Sequence, residues 1–510
     1  MHTRNRHRAA VLALAAACLL GSAVQPGAAA TTAHAPARAP APAPSPLHWG
    51  ACPPPAAGPG TAPVHRDPRQ RCAKVSVPLD YQRPNGPHLG IEISRILSGA
   101  RHARSLMTGQ GGPGGSGIDL PSSEESALPG QVTASTDLYG LDYRGIGASA
   151  PLDCGIAPAD RAEATGIPYP APDGGIAANI GVARRTAAAC ARDAGAEIRY
   201  VNTANIARDI DSVRRALGLR TLSYTGTSYG SYVGEVYATL FPRTAGRVLL
   251  NSVVPPGGVE EAITNKGEGV ADAFGPFATW VAARDSTYHL GAAATGIRAT
   301  VLALARRLNG APLPFPDGDG RLTGNLLLEA QEVLLEQQSY YPVLAGLLAD
   351  ARAGAIPPGA GSALPVGSEL PDNFVSAQDA IICNDTAWPR DMAHYRAAVA
   401  RSARRYPLTA GSPANVWACA FWDTPTSDRA PRPDDRGPAD VQLVQNTADP
   451  STPLSDARET LHAFGRRAGL VTVDAAGHGV DTSSGCVADV VTRFLTGAAS
   501  PRSGHCPAGD

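Results

Sequence analysis

The chain has 510 residues, 43% of them hydrophobic and 17% charged, and a formal net charge of −1. Such a composition describes an ordinary globular protein and excludes a disordered one. The near-zero charge excludes a long-range pull toward nucleic acid or anionic lipid, so no nucleic-acid partner is expected.

Taken in chain order, the first segment reads as an export signal. A basic "MHTRNRHR" precedes the apolar "AAVLALAAACLLGSAV", and Ala28-x-Ala30 offers a cleavage site. Residues 1–30 are therefore expected to be removed near Ala30 and the protein secreted. The apolar run is shorter than the ~20 residues a bilayer span needs, and no later segment is long and apolar enough, so no membrane span is expected. Cys18 admits a lipoprotein reading, but the "AAAC" around it lacks the large aliphatic residue such a site carries. Residues 31–46, "TTAHAPARAPAPAPSP", form a Pro/Ala-rich linker.

Without the signal, the cysteines left are Cys52, Cys72, Cys154, Cys190, Cys383, Cys419, Cys486 and Cys506. An even set in an exported chain implies a disulfide framework. Their clustering in neighbouring twos suggests 52–72, 154–190, 383–419 and 486–506, although the sequence admits other pairings. No Cys-x-x-Cys or His-x-x-x-His spacing occurs, so neither a metal nor another cofactor is expected.

From about residue 72, "AKVSVPLDY" and "LGIEISRIL" carry β-branched residues at period two and read as strands. "RSLMTG" is a short strand running into the glycine loop "GQGGPGGSG", and "STDLYGLDYRGIGAS" is another strand and loop. "NTANIARDIDSVRRALG" places Ile206, Ile210, Val213 and Leu217 at helix spacing, with Thr203 as N-cap candidate. The strand "TLSYTG" follows, then the helix "YGSYVGEVYATLFP" and the buried strand "RVLLNSVVPP". Between strand and helix lies the chain's one G-x-S-x-G: Gly226, Ser228 and Gly230. Helix, strand, turn, helix, strand is a βαβ rhythm, and it puts Ser228 at the carboxyl end of a parallel strand, where open α/β sheets hold their chemistry.

Between 257 and 435 the alternation gives way to helical patterns, including "GIRATVLALARRL", "LLLEAQEVLLEQQ" and "MAHYRAAVARSARRY". It returns with the strand "DVQLVQNTADP", the helix "LSDARETLHAFGRR" and the strand "GLVTVDAAGHG". This order predicts one sheet core from 47–256 and 436–510, interrupted by a helical insertion at 257–435, because the last strands would otherwise lack a sheet.

A serine hydroxyl becomes a nucleophile only when a base takes its proton and an acid holds the base in one tautomer. At a strand–turn–helix elbow the acid and base should follow in the order Ser, Asp or Glu, His. Asp449 directly follows a strand, and so does His478. Asp456 belongs to the next helix and is expected to serve its N-terminus; Asp474 ends the last strand; His462 is mid-helix; His505 lies in the tail. Ser228, Asp449 and His478 are thus the candidate nucleophile, orienter and general acid/base. Two donors must face the oxyanion: the Tyr229 amide, and an amide of the glycine loop, for which Gly112 is preferred to Gly111. The glycine loop lacks the Lys-Ser/Thr or G-x-G-x-x-G context of a phosphate site.

The blocks "GGPGGSG", "LDYRGIGASAPLDC", "RDIDSVRRALG", "YTGTSYGSYVGEVYA" and "ADPSTP…GHG" resemble those of secreted actinobacterial tripeptidyl aminopeptidases, relatives of the prolyl aminopeptidases, from about Trp49 to Cys506. The resemblance implies an α/β-hydrolase fold: a mostly parallel central sheet, with 257–435 as a large helical cap inserted before the last core strands. It also implies release of tripeptides from free N-termini through an acyl-enzyme on Ser228, with Asp449, His478 and an oxyanion hole at Gly112 and Tyr229 matched residue by residue. Two stretches depart from the family's pattern. Gly109-Gln110 stands where Asn-Pro is usual, and Asn251-Ser252-Val253-Val254-Pro255-Pro256 stands where Asp-Gly-Val-Val-Asp-Pro is common.

An aminopeptidase also needs carboxylates for the substrate's ammonium group. Glu260, Glu261 and Asp385 lie near or within the cap and carry no assignment. The expected partner is a peptide or a small-molecule substrate. The alternative is an esterase, lipase or amidase using the same triad, and a third reading is a non-catalytic binding protein of the same fold. The sequence does not set the oligomeric state.

Overall fold

The computed structural model describes residues 46–54, 65–165, 168–316, 318, 320–358, 370–424 and 428–508. The signal segment, its cleavage site, Cys18 and all of the linker but its last residue lie outside the described residues.

Nine strands form one sheet in the order β1-β2-β4-β3-β5-β6-β9-β10-β11. These are β1 (Arg71–Pro78), β2 (His88–Ile96), β3 (Arg104–Gly109), β4 (Thr136–Leu141), β5 (Leu222–Ser228), β6 (Ala245–Val253), β9 (Val441–Ala448), β10 (Ala468–Ala476) and β11 (Gly504–Cys506). A separate two-stranded hairpin pairs β7 (Leu313–Pro314) with β8 (Arg321–Leu322). Within the nine-stranded sheet the β1–β2 and β2–β4 ladders are antiparallel and the other pairings are parallel. This mostly parallel sheet with helices on its faces is the α/β-hydrolase fold.

The central strands are covered on both faces, which is why they read as near-continuous apolar runs. Within β6, Val248 and Leu250 join one apolar cluster while Leu249 joins the cluster on the other side. Leu443 and Val444 of β9 divide in the same way. The register then fixes the site. Gly109 pairs with Gly226, so the glycine loop leaves the sheet beside the end of β5, and Ala448 pairs with Ala476, so the loops after β9 and β10 emerge together.

The helix after the βαβ entry runs Thr203–Ala216, and its cap differs from the sequence expectation. Asn202, in extended backbone, accepts from the Asn205 amide at 2.9 Å and is the N-cap in place of Thr203. Thr203 is the first helical residue, and its amide and hydroxyl both donate to Asp385. That second acceptor comes from a helix far along the chain, so local sequence did not reveal it.

Between 257 and 435 lie the helices Val259–Ala282, Ala294–Gly310, Gly324–Leu334, Tyr341–Ala353, Asp372–Asp385 and Met392–Arg405. Phe274, Phe277, Ile297, Leu327, Leu344 and Leu348 form an apolar cluster of their own here. The helix Asp372–Asp385 instead packs Val375, Ile381 and Ile382 into the cluster on one face of the sheet. Disulfides join Cys52–Cys72, Cys154–Cys190, Cys383–Cys419 and Cys486–Cys506, the neighbouring-twos arrangement. The last of these ties the helix Gly485–Leu495 to the edge strand β11, which holds His505. Among the described residues no helix is long and apolar enough to cross a membrane.

Candidate active site

Ser228 ends β5 with φ 59° and ψ −128°, and the helix Tyr229–Leu240 starts at the next residue. A non-glycine residue in such backbone costs of order 1–3 kcal/mol and persists only when its surroundings over-determine it. Here they do. A Cβ on Gly226 would lie 2.4 Å from the Gly230 carbonyl oxygen, and one on Gly230 would lie 2.6 Å from the Gly109 oxygen. Both glycines of the motif are therefore needed for strand, elbow and glycine loop to touch. Tyr224 donates to the Gly230 oxygen at 2.8 Å, and Ser231 donates to the Ser228 oxygen at 2.6 Å while accepting from the Val254 amide. The buried Tyr229 ring meets Tyr143 edge-on and its hydroxyl lies 2.7 Å from Thr203 Oγ1, which holds the residue expected to supply an oxyanion donor.

The glycine loop lies against the elbow: a Cβ on Gly111 would be 3.5 Å from Ser228 Cβ. Gly112 has φ +104° and precedes Pro113 in a cis peptide bond. Among the described residues the Gly112 amide has no protein acceptor, as a donor reserved for a ligand would not. Asp142 braces the loop by accepting from Ser116 Oγ at 2.6 Å and the Gly117 amide at 2.9 Å. Two other quoted blocks meet in a buried ion pair, Arg144 with Asp209, at 2.6 and 2.7 Å. These motif residues build the scaffold and do not reach the serine's cavity.

Asp449 is fully buried and directly follows β9, while His478 sits two residues beyond β10. His478 Nδ1 lies 2.9 and 3.0 Å from the two Asp449 oxygens. The carboxylate also accepts the amides of Ser451 and Thr452, each at 2.9 Å, and the Thr452 hydroxyl at 3.2 Å. Burial alone would raise the Asp449 pKa, but the facing His478 charge and these hydrogen bonds outweigh it and hold the carboxyl below the ordinary value. Burial likewise opposes a charged His478, and the Asp449 carboxylate reverses that, lifting the imidazole above its ordinary range. The loop carrying His478 is pinned by Asn446, Asn251 and Ser252, and by the His478 amide on the Glu336 carbonyl at 2.8 Å.

Ser228, Tyr229, His478, Gly111 and Gly112 all line one cavity of about 540 Å³. Val259, Ala262 and Ile382 supply apolar wall, and Glu124, Lys266, Glu336 and Gln378 supply polar groups. Of the sequence-chosen site residues, Ser228, His478, Gly112 and Tyr229 therefore share the cavity, and Asp449 is reached through its hydrogen bond to His478. It puts the competitors elsewhere. His505 pairs with Asp474 at 3.0 Å. Asp456 lies in the first turn of its helix, the N-terminal place expected of it, and accepts from Asn265 at 2.8 Å. None of Glu260, Glu261 and Asp385 lines the cavity. Sequence reasoning missed Thr452, Ser252, Glu336 and Lys266. For Thr452 a signal existed, since an Asp followed two and three residues later by Ser and Thr is an Asx-turn pattern; for Lys266 it was rarity, because the chain's only other lysine is Lys74.

Comparison with known proteins adds relatives. Residues 408–506 match the family described as "TAP-like protein". The chain is 31% identical over 456 residues to the tripeptidyl aminopeptidase of Streptomyces coelicolor, spanning 86% of this chain and 83% of that one. It is 28% identical to the serine protease Hip1 of Mycobacterium bovis, across 85% of this chain and 86% of the relative. It is 29% identical to carboxylesterase B of Mycobacterium tuberculosis, across 86% of each.

Proposed function

The chain belongs to the tripeptidyl aminopeptidase family, and on that premise we propose that it is a secreted serine exopeptidase releasing tripeptides from free N-termini. The observation that carries the reading is the shared cavity, lined together by a serine held in strained backbone, the glycine loop at Gly112, Tyr229 and an Asp-paired histidine. In the proposed reaction Asp449 accepts the His478 Nδ1–H bond and keeps Nε2 free to take the Ser228 proton. Ser228 Oγ attacks the scissile carbonyl, and the amides of Tyr229 and Gly112 receive the oxyanion. His478 returns the proton to the leaving amine, and then activates the water that clears the acyl-enzyme.

The helices of 257–435 serve in this reading as a cap over the core 47–256 and 436–510, and set how much peptide the cavity admits. Four disulfides accord with an oxidising compartment and thus with export. Ser228→Ala is expected to lower kcat by about 10⁴-fold or more on a tripeptidyl p-nitroanilide; retained turnover would overturn the assignment. The relative named carboxylesterase B favours ester hydrolysis as a second reading. N-acetylated and free peptides separate the two, since acetylation blocks only the exopeptidase.

A further inference from the structure

The cavity wall contains four acidic or basic side chains, and three of them have protein partners. His478 faces Asp449, Glu336 accepts from Ser451 Oγ at 2.8 Å, and Lys266 Nζ lies 3.9 Å from the Glu332 carboxylate. Glu124 is the exception. Its carboxylate has no hydrogen-bond donor and no cation beside it among the described residues. The residue is part-buried, and desolvation without a compensating group pushes its carboxyl up, to about 7.

A second acceptor in the same wall is also unmatched. Gln378 is 9% exposed and its Oε1 has no hydrogen-bond partner among the described residues. The two residues flank the glycine loop. Glu124 lies on the helix Leu120–Ala127 that follows the loop. Gln378 lies one turn beyond Phe374, whose carbonyl oxygen a Cβ on Gly114 would meet at 2.7 Å. A buried acceptor is normally satisfied, so Gln378 Oε1, together with the part-buried, unpaired Glu124 carboxylate in the same wall, marks a place where a donor-rich ligand group belongs.

We propose that Glu124 and Gln378 receive the substrate's terminal ammonium group, which offers three N–H donors and a positive charge. This rests on the exopeptidase reading above. In that reading the ammonium belongs to the acyl half of the substrate, three residues from the carbonyl under attack. Three extended residues span about 10 Å at most, so the receptor must share the cavity of Ser228, as these two residues do. The free amine of a peptide is the ligand class; a backbone amide cannot supply the charge that Glu124 lacks.

The test compares Ala-Ala-Ala-p-nitroanilide with its N-acetyl counterpart on wild-type enzyme, Glu124→Gln and Gln378→Met. Fluorophosphonate titration of Ser228 and a melting curve establish the folded fraction of each. Wild type should prefer the free amine by at least tenfold in kcat/KM. Glu124→Gln should erase most of that preference through KM, and Gln378→Met should reduce it several-fold. A Glu124→Gln enzyme that keeps the wild-type ratio overturns the proposal, and so does an equal loss on both substrates. If wild type itself shows no preference, the exopeptidase reading fails first. Should Glu124→Gln not fold, an unchanged ratio in Gln378→Met overturns the receptor by itself.

Discussion

At Ser252 the backbone takes φ +49°, a left-handed conformation that costs an L-residue roughly 1–2 kcal/mol and a glycine nothing. The residue is fully buried on β6, between the strand that carries Ser228 and the one that precedes Asp449. Its hydroxyl accepts the Gly479 amide at 2.8 Å and helps hold the Asp449 carboxyl below its ordinary value, so one oxygen links the loop of His478 to Asp449. Strain retained at such a point implies that the hydroxyl acts in the site. Ser252→Gly is therefore expected to melt at or above the wild-type temperature while losing several-fold in kcat, and Ser252→Ala to lose in both. Wild-type kcat in the glycine variant would show that the hydroxyl does nothing for the pair. The same pair sets a pH dependence. In the proposed reaction His478 must be neutral to act as base, and Asp449 raises its pKa, so the acid limb of kcat/KM should have its midpoint above about 6.5. In Asp449→Asn that upward push is gone, so the midpoint should move down while the rate falls by about 10³–10⁴.

Among the elements, the helix Val259–Ala282 shows why part of the molecule was legible in the sequence and part was not. Strands and helices around Ser228 carry clean periods of two and three to four, and each triad candidate lies at or within two residues of a strand's carboxyl end; those were readable. This 24-residue helix was not, because Gly267, Gly269, Gly275 and Pro276 interrupt it. Two of those glycines are contacts. A Cβ on Gly267 would lie 2.6 Å from the Tyr406 ring, and one on Gly269 would lie 2.6 Å from the Asp449 carbonyl oxygen and 2.7 Å from that of Pro450. Tertiary packing overrides propensity there. The Ala-rich helix Ala177–Asp193 was missed for the opposite reason, since small residues leave little apolar period to read. The consequence is a reversal of sign. Glycine to alanine in a helix normally stabilises by about 0.5–1 kcal/mol. Gly346→Ala, in the helix Tyr341–Ala353 with open space around the new Cβ, should do so without altering kcat. Gly269→Ala should instead destabilise and lower kcat, by pushing the helix away from the loop of Asp449. Denaturant titration with parallel kinetics on both variants decides it; two variants of the same sign would refute the contact.

Across the whole molecule, carboxyl groups are buried where the helices of 257–435 meet the rest of the chain. Asp385 takes the amide and hydroxyl of Thr203, Asp456 takes Asn265, and Glu332 accepts from the Tyr169 hydroxyl. Desolvation raises all three, Asp385 to about 7 and Asp456 to about 8, and it raises Glu329 to about 7. A carboxyl with a raised folded pKa binds more protons folded than unfolded, so its contribution to stability is complete at low pH and is lost as pH rises toward the folded value. Each such proton gives a slope of up to about 1.4 kcal/mol per pH unit. His478, also raised, acts with the same sign. Groups of the opposite sort, such as Asp67, Asp160 and Asp434 on their arginines, are lowered from about 3.8 and titrate below the window concerned. The melting temperature is therefore expected to fall between about pH 5.5 and about pH 8, while kcat/KM rises over the acid limb of His478. Melting curves across that interval in buffers of constant ionic strength test it. A temperature that stayed flat or rose would mean that these carboxylates are solvated in the folded protein, and hence that the 257–435 helices do not meet the rest of the chain as tightly as the contacts of Asp385 with Thr203 and of Asn265 with Asp456 require.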